Sequence, residues 1–431
     1  MKSHLSTVCL IVTLAFVSLT ANDARSLVAQ EPRLADSKAT KPDKYQDWAH
    51  SGSIWLLTTP EGANLPAGAA IEQFPLLVRL HKDFFNFRQA QSNGSDLRFS
   101  TGTGESLAYQ IEDWDLTLGM ANVWVRVPKV TGNSRQEIKL YWGNAKATSE
   151  SDGKAVFNAA NGYLSVWHMN DPVRDEVGTL TSTDTGTTAT AGMVGAARHF
   201  PPNKGIFCGD KIPNYPTDAS PHSSEAWFRT EKPNGRVLAW GNEHAQGKVV
   251  MIHRSPPHVT MDCYFSDANV SGTANVALSR WFHVVHTYQK GESRLYVNGV
   301  LDGVTQRDGN PLKVKSPSRM WIGGWYHNYD FIGDIDEVRI SQVTRSPDWV
   351  KLQYENQKPH QSLVGPLVQS GSEFSISQTQ LAVGEGQNAT VTAQAGGAQK
   401  VVWILKRNGH ESVVATDRFS YTFDAGRVPV S

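Results

Sequence analysis

Apolar and polar residues alternate over short stretches along most of this chain. In "FPLLVRL" Leu76, Val78 and Leu80 fall on one face. In "NVWVRVPKV" Val123, Val125 and Val127 do the same, and in "EIKLYWGN" so do Ile138, Leu140 and Trp142. A period of two marks half-buried antiparallel strands, with "SNGSD" and "STGTGES" as turns between them. Further on, "RLYVNGVLDG" reads as two short strands joined at Asn298-Gly299, the pair that tolerates φ > 0 in a tight hairpin. Before it, Trp281, His283 and Val285 alternate with Phe282, Val284 and His286, as in a strand covered on both faces. The pattern turns helical once, at 346–356 in "SPDWVKLQYENQ". There Ser346 is placed to cap, Pro347 suits the first turn, and Trp349, Val350, Leu352 and Tyr354 form the apolar stripe. "KPHQSLVGP" then ends it.

These elements predict an all-β chain of tandem antiparallel β-sandwiches, and 36 Gly with 13 Trp fit a turn-rich β protein. The 41 basic and 41 acidic residues cancel, which argues against a nucleic-acid partner. Lys2 followed by the apolar run Val8 to Leu19 reads as a signal peptide ending near residue 29, too short to span a bilayer. The expectation is an exported protein of the periplasm, cell surface or extracellular space, with no membrane span in the mature chain. Residues 30–41 read as a linker. Cys208 and Cys263 remain in the mature chain, as a disulfide or as two buried thiols.

Two blocks are familiar. "FPLLVRLHKDFFNFRQAQSNGSDLRFSTGTGESLAYQIEDWD", "ANVWVRVPKV" and "IKLYWGNAKATSESDGKAVF" resemble the domain-of-unknown-function family 2341, which implies a β-sandwich over 42–157 and no chemistry. "NGYLSVWHMND", "GMVGAARHF", "SSEAWFRT", "SRWFHVVHTYQKGESRLYVNGVLDG", "MWIGGW" and "GDIDEVRIS" resemble the laminin-G-like, concanavalin-A-like jelly rolls, implying such a domain over 158–366. From 367 to 431, "EFSISQTQLAVGEGQNATVTAQAGG" and "KVVWILKRNG" resemble the first strands of an immunoglobulin-like sandwich, with Trp403 at its core. That sandwich needs about 100 residues, so this segment is expected to be partial, with an exposed sheet edge.

The charged stretch "FIGDIDEVRI" invites a catalytic reading. Laminarinase-type glycosidases of the jelly-roll superfamily carry Glu-x-Asp-x-x-Glu or Glu-x-Asp-x-Glu on one strand, and a retaining pair stands about 5 Å apart. Here no glutamate takes the nucleophile position. Asp334 and Asp336 share a face with Val338 and Ile340, and Glu337 falls opposite unless a bulge intervenes. The stretch is expected to be a closing strand, with no catalytic residues. Pairing of first and last strands would bring Asp171 beside Asp336, a hard-oxygen pair suited to a structural calcium or to plain surface hydrogen bonding; no cofactor is required. His283 and His286 point to opposite faces and cannot share a metal. No nucleophile elbow or phosphate loop occurs.

The ligand candidate is "GGWYHNYDF". Trp325, Tyr326 and Tyr329 offer aromatic faces, and Asn328 and Asp330 offer hydrogen bonds, a combination that suits sugars as well as packing. A second loop, "GNEHAQGK", has similar chemistry. The expected function is an exported, non-catalytic binding or adhesion protein contacting a glycan or a cell-surface protein. The alternatives are a divergent glycoside hydrolase, or the exported part of an envelope biopolymer-transport assembly, since some relatives place these modules before a proton-channel domain.

Overall fold

The computed structural model describes residues 44–178, 180–369, 375–377, 387–394, 402–407, 410–416 and 420–424. The signal-like run and the linker lie outside them.

The first sandwich has seven strands: β1 (His50–Leu57), β2 (Ala70–His81), β3 (Arg98–Thr101), β4 (Ser106–Leu107), β5 (Tyr109–Asp115), β6 (Met120–Thr131) and β7 (Arg135–Trp142). They form one sheet in the order β1-β7-β3-β4 and another in the order β2-β6-β5. The alternating residues Leu76, Val78, Leu80, Val123, Val125, Val127, Ile138, Leu140 and Trp142 all lie in one core. The opposite face of β2 and β6 is not solvated, however: Leu77 and Trp124 are buried as well. The elements that cover it come later in the chain.

A short helix, α1 (Gly153–Val156), leads into the second sandwich. Its strands are β8 (Tyr163–Trp167), β9 (Thr183–Asp184), β10 (Thr188–Ala191), β11 (Ala196–Phe200), β12 (Ile206–Ile212), β13 (His222–Thr230) and β14 (Arg236–Gly241). Then come β15 (Lys248–Arg254), β16 (His258–Asp262), β17 (Val270–Ser271), β18 (Phe282–Gln289) and β19 (Glu292–Val297). The set ends with β20 (Val300–Thr305), β21 (Ser318–Ile322) and β22 (Gly333–Ser341). An eight-stranded sheet runs β10-β11-β22-β13-β18-β19-β20, with β8 added against β22, and faces a seven-stranded sheet ordered β17-β16-β15-β14-β21-β12-β9. The β19–β20 hairpin turns at Asn298 and Gly299 with φ of 50° and 76°, the double positive φ that this dipeptide permits. Cys208 and Cys263 are separate buried thiols. Burial raises the pKa of each, so neither is an activated nucleophile.

Helix α2 (Pro347–Gln357) starts as its sequence predicts, with the Ser346 side chain accepting from the Trp349 amide. It is wedged between the sandwiches. Trp349 and Leu352 enter the first core, Val350 packs with Val285 and Tyr296, and Tyr354 stacks on Trp227. The chain then returns to the free edge of β1, where Val368 exchanges backbone hydrogen bonds of 2.8 Å with Ser53 and the Leu57 amide reaches the Leu363 carbonyl. Leu363, Val364 and Leu367 join the first core. The first sandwich is thus completed by segments that follow the second in sequence.

Beyond it, β23 (Ser375–Ile376), β24 (Asn388–Gln394) and β27 (Ser420–Asp424) form one small sheet. A second contains β25 (Val402–Arg407) and β26 (His410–Thr416). Trp403 is buried among Val391, Ala393 and Val368. The expected exposed edge falls partly outside the described residues.

Candidate functional site

The closing strand β22 is the first place to look for carboxylate chemistry. Its pairing with β13 slips between Glu225 and Trp227, and Glu337 stands at φ 49°. This is a β-bulge, which re-aims side chains. Ile335, Val338 and Ile340 fill the core between the sheets, while Asp334, Asp336 and Glu337 are all buried and partnered. Asp334 accepts from His199 at 2.8 Å and from the Arg229 Nε at 2.7 Å. Asp336 Oδ2 accepts from the Met193 and Val194 amides at 2.8 and 3.0 Å. Glu337 accepts from Arg339 Nε at 3.1 Å, and its other oxygen lies 2.6 Å from His168 Nδ1.

The calcium pair does not assemble. β8 and β22 do pair, Trp167 opposite Val338, but the chain leaves the strand at Met169 with φ 62°. Asp171 ends up with its side chain 73% exposed, 3.5 Å from Arg198, while Asp336 is sealed on backbone amides. Among the described residues, three potential metal donors converge elsewhere, at Glu112, His168 and Glu337. Burial, together with the Glu337 and Asp336 charges, pushes the Glu112 carboxyl well above its ordinary value.

The loop Gly323 to Phe331 folds as a two-residue hairpin. The Trp325 amide donates to the Asn328 carbonyl at 3.1 Å and the Asn328 amide to Trp325 at 3.0 Å. Tyr326 and His327 take the turn at φ 52° and 60°. This corrects the expected stacking platform. Trp325 and Tyr329 are only 6% and 7% exposed and pack with Ala239, Val250, Ile252 and Trp321 on the outer face of the seven-stranded sheet. Asp330 is not free for a hydroxyl: it holds the Arg236 amide at 3.0 Å and pairs with the Arg236 guanidinium at 2.6 Å. Asn328 is exposed. Tyr326 remains a candidate stacking face at 42% exposure, backed by Trp321 in a stacked pair at 5.3 Å and held by the Arg319 guanidinium, which donates to its hydroxyl.

The structure brings the second nominated loop to the same place. The Trp325 indole N–H donates to Glu243, and Lys248 Nζ pairs with Glu243 at 3.1 Å. Partial burial opposes ionisation of Glu243, but the Trp325 and Lys248 hydrogen bonds outweigh it and hold the carboxyl below its usual value. Lys248 Nζ also lies 4.3 Å from the Tyr264 ring centre and 5.6 Å from that of Trp325. Next to Tyr264, at 4.9 Å between ring centres, is Phe265, which is 71% exposed. Tyr326, Trp325, Lys248, Tyr264 and Phe265 therefore form one continuous ridge. Sequence reasoning missed Tyr264 and Phe265, although "DCYFSD" sets an aromatic pair among turn residues. Their φ values of 49° and 65° are rare for bulky side chains.

Residues 93–166 match the family model described as Domain of unknown function (DUF2341), and residues 210–351 match that of the Concanavalin A-like lectin/glucanases superfamily. The second sandwich is a concanavalin A-like jelly roll. Among solved structures, the chain is similar to domain 4 of AbnA, a GH43 extracellular arabinanase from Geobacillus stearothermophilus in complex with arabinotriose. That likeness has 17% identity and a TM-score of 0.37, and covers 44% of this chain and 97% of that one. It is similar also to the binding domain of Paraclostridial Mosquitocidal Protein 1 (11% identity, 50% and 58% coverage, TM-score 0.38). A third is the binding domain of Botulinum Neurotoxin serotype G (14% identity, 45% and 50% coverage, TM-score 0.35). Overlaps this partial carry no ligand across. No curated protein matches the chain in sequence. On the eight-stranded sheet α2 packs against Val285, Tyr296 and Trp227, and the ridge lies at the other sheet.

Proposed function

We propose that this chain is an exported, non-catalytic binding protein whose jelly roll engages a glycan through the ridge of Tyr326, Tyr264 and Phe265. The observation that carries the reading is the pair of exposed aromatic faces, Tyr326 and Phe265, joined through pre-positioned Lys248, Glu243 and Arg319. Aromatic faces stack on the C–H surfaces of sugar rings, and fixed charged groups take the hydroxyls. Trp321 stacks on Tyr326 and Trp325 donates to Glu243, so these two side chains lose little freedom on binding. The non-catalytic part rests on Asp334, Asp336 and Glu337, whose carboxylates are all buried and engaged by protein partners.

A glycan array with the full chain, followed by titration calorimetry, tests this. Tyr326→Ala and Phe265→Ala should each weaken binding by about 1–2 kcal/mol, roughly tenfold, as for loss of an anchor residue, with thermal stability retained. Binding that is indifferent to both changes refutes the ridge. Release of reducing sugar from an array ligand refutes the non-catalytic reading.

A further inference from the structure

The three donors at the junction call for a cation. Glu112 stands on β5 at a register shift between Ile111 and Asp113, and Glu337 stands at the bulge of β22. Two bulges, one from each sandwich, thus aim carboxylates at the same ring. Glu337 Oε1 lies 2.6 Å from His168 Nδ1, and Glu112 Oε2 lies 3.6 Å from it. The three donor atoms sit within 4.8 Å of one another.

The surroundings resemble the outer shell of a metal centre. His168 Nε2 faces Gln110 Oε1 at 3.3 Å, and that amide is oriented by its own N–H₂ donating to Glu176 at 2.8 Å. The proton on Nε2 is thereby fixed, the usual way a protein turns the other ring nitrogen toward an ion. Trp124 Nε1 donates to Glu112 at 2.5 Å, and Arg339 holds the Glu337 oxygen that faces away from His168. The Glu112 side chain has no exposure, yet its Oε1 has no hydrogen-bond partner. A buried carboxylate oxygen left bare is costly, and it points to a ligand.

We propose that Glu112, His168 and Glu337 bind a divalent transition ion of the zinc class, with both oxygens of Glu112 available to complete four donors. One imidazole nitrogen among carboxylate oxygens suits such an ion, whereas calcium takes oxygen alone. The donors come from both sandwiches, so the ion would act as a structural clasp, loaded as the two close on each other.

The test uses the full chain, stripped with chelator under mild denaturant and refolded with or without zinc chloride. Elemental analysis should find one zinc per chain after gel filtration, and the melting temperature should rise with zinc and not with calcium. Cobalt(II) in place of zinc should give the visible absorption of a four-coordinate site, a readout in the wild type that requires no variant. Glu112→Gln should abolish stoichiometric loading, and Gln110→Leu should weaken it about 10–100-fold. No bound zinc, no cobalt band and a melting temperature indifferent to chelator would overturn the proposal and leave a proton shared between His168 and the glutamates.

Discussion

Replacing Asn356 by Ala should destabilise the first sandwich, although Asn356 lies in the helix that follows the second. β2 is an edge strand of its sheet, and Leu77 turns both its backbone groups outward, away from β6. Asn356 takes both of them. Its Oδ1 accepts from the Leu77 amide at 2.7 Å, and its Nδ2 donates to the Leu77 carbonyl at 3.0 Å. The side chain thus imitates a neighbouring strand at one position. Both residues are buried, so water cannot take over when the amide is removed. Each of the two stranded groups costs about 1–3 kcal/mol, giving a loss of about 2–6 kcal/mol, a large share of the ~5–15 kcal/mol that holds a domain together. Arg79 adds to the same contact by donating to the Asn356 and Gln357 carbonyls at 3.0 and 2.6 Å, a cation closing the C-terminal end of α2.

The assay is equilibrium urea unfolding of the full chain, with hydrogen exchange read at the Leu77 amide. Glu355→Ala, on the same turn and paired with Lys358, is the control and should stay within about 0.5 kcal/mol of wild type. If Asn356→Ala matches that control, and Leu77 keeps its protection, α2 is not part of the first sandwich's stability and the reasoning fails.

Acid should weaken the jelly roll through its buried histidines. Burial lowers the pKa of His222 to about 4, and burial with the His222 charge takes His286 well below its usual value. The fold therefore binds fewer protons than the unfolded chain below about pH 6.5. Their contribution is intact above that pH and is lost progressively toward pH 4, with His222 alone costing ~3 kcal/mol at ~1.4 kcal/mol per pH unit. A melting temperature flat between pH 7 and 4 would contradict this. Gly333→Ala should cost on the order of 2–4 kcal/mol: Gly333 sits at φ 135°, and an added Cβ would lie 2.2 Å from the Arg229 carbonyl oxygen. Thermal denaturation checks it, and an unchanged melting temperature would place the β13–β22 register elsewhere.

The inward faces of the strands were legible from their period of two, and so was the Asn298-Gly299 hairpin, because a pair that accepts double positive φ announces itself. The cap of α2 was legible for the same local reason. What lies on the outer faces was not. Alternation states which side chains share a side, and it is silent on what covers the other side. Leu77 and Trp124 therefore look outward in sequence and are buried in the fold, under α2 and the eight-stranded sheet. The 363–368 return to β1 has no local signal either, since an added edge strand depends on long-range pairing.

The aromatic loop failed for a related reason. Tyr-His is not a pair that advertises a tight hairpin, so "GGWYHNYDF" reads as an open loop whose side chains are free to converge on a ligand. Closing that turn at Tyr326 and His327 forces Trp325 and Tyr329 onto the sheet and leaves Tyr326 exposed. The same hidden backbone freedom decides the acidic strand. Strict alternation sets Glu337 opposite Asp336, and only the bulge at φ 49° aims it at His168. Glu112 enters the same point through a second bulge in another sandwich, so neither strand alone could have revealed the pairing. Of the carboxylates on the closing strand, Asp334 and Asp336 are bound within the jelly roll, and Glu337 turns to His168, where Glu112 of the first sandwich meets it.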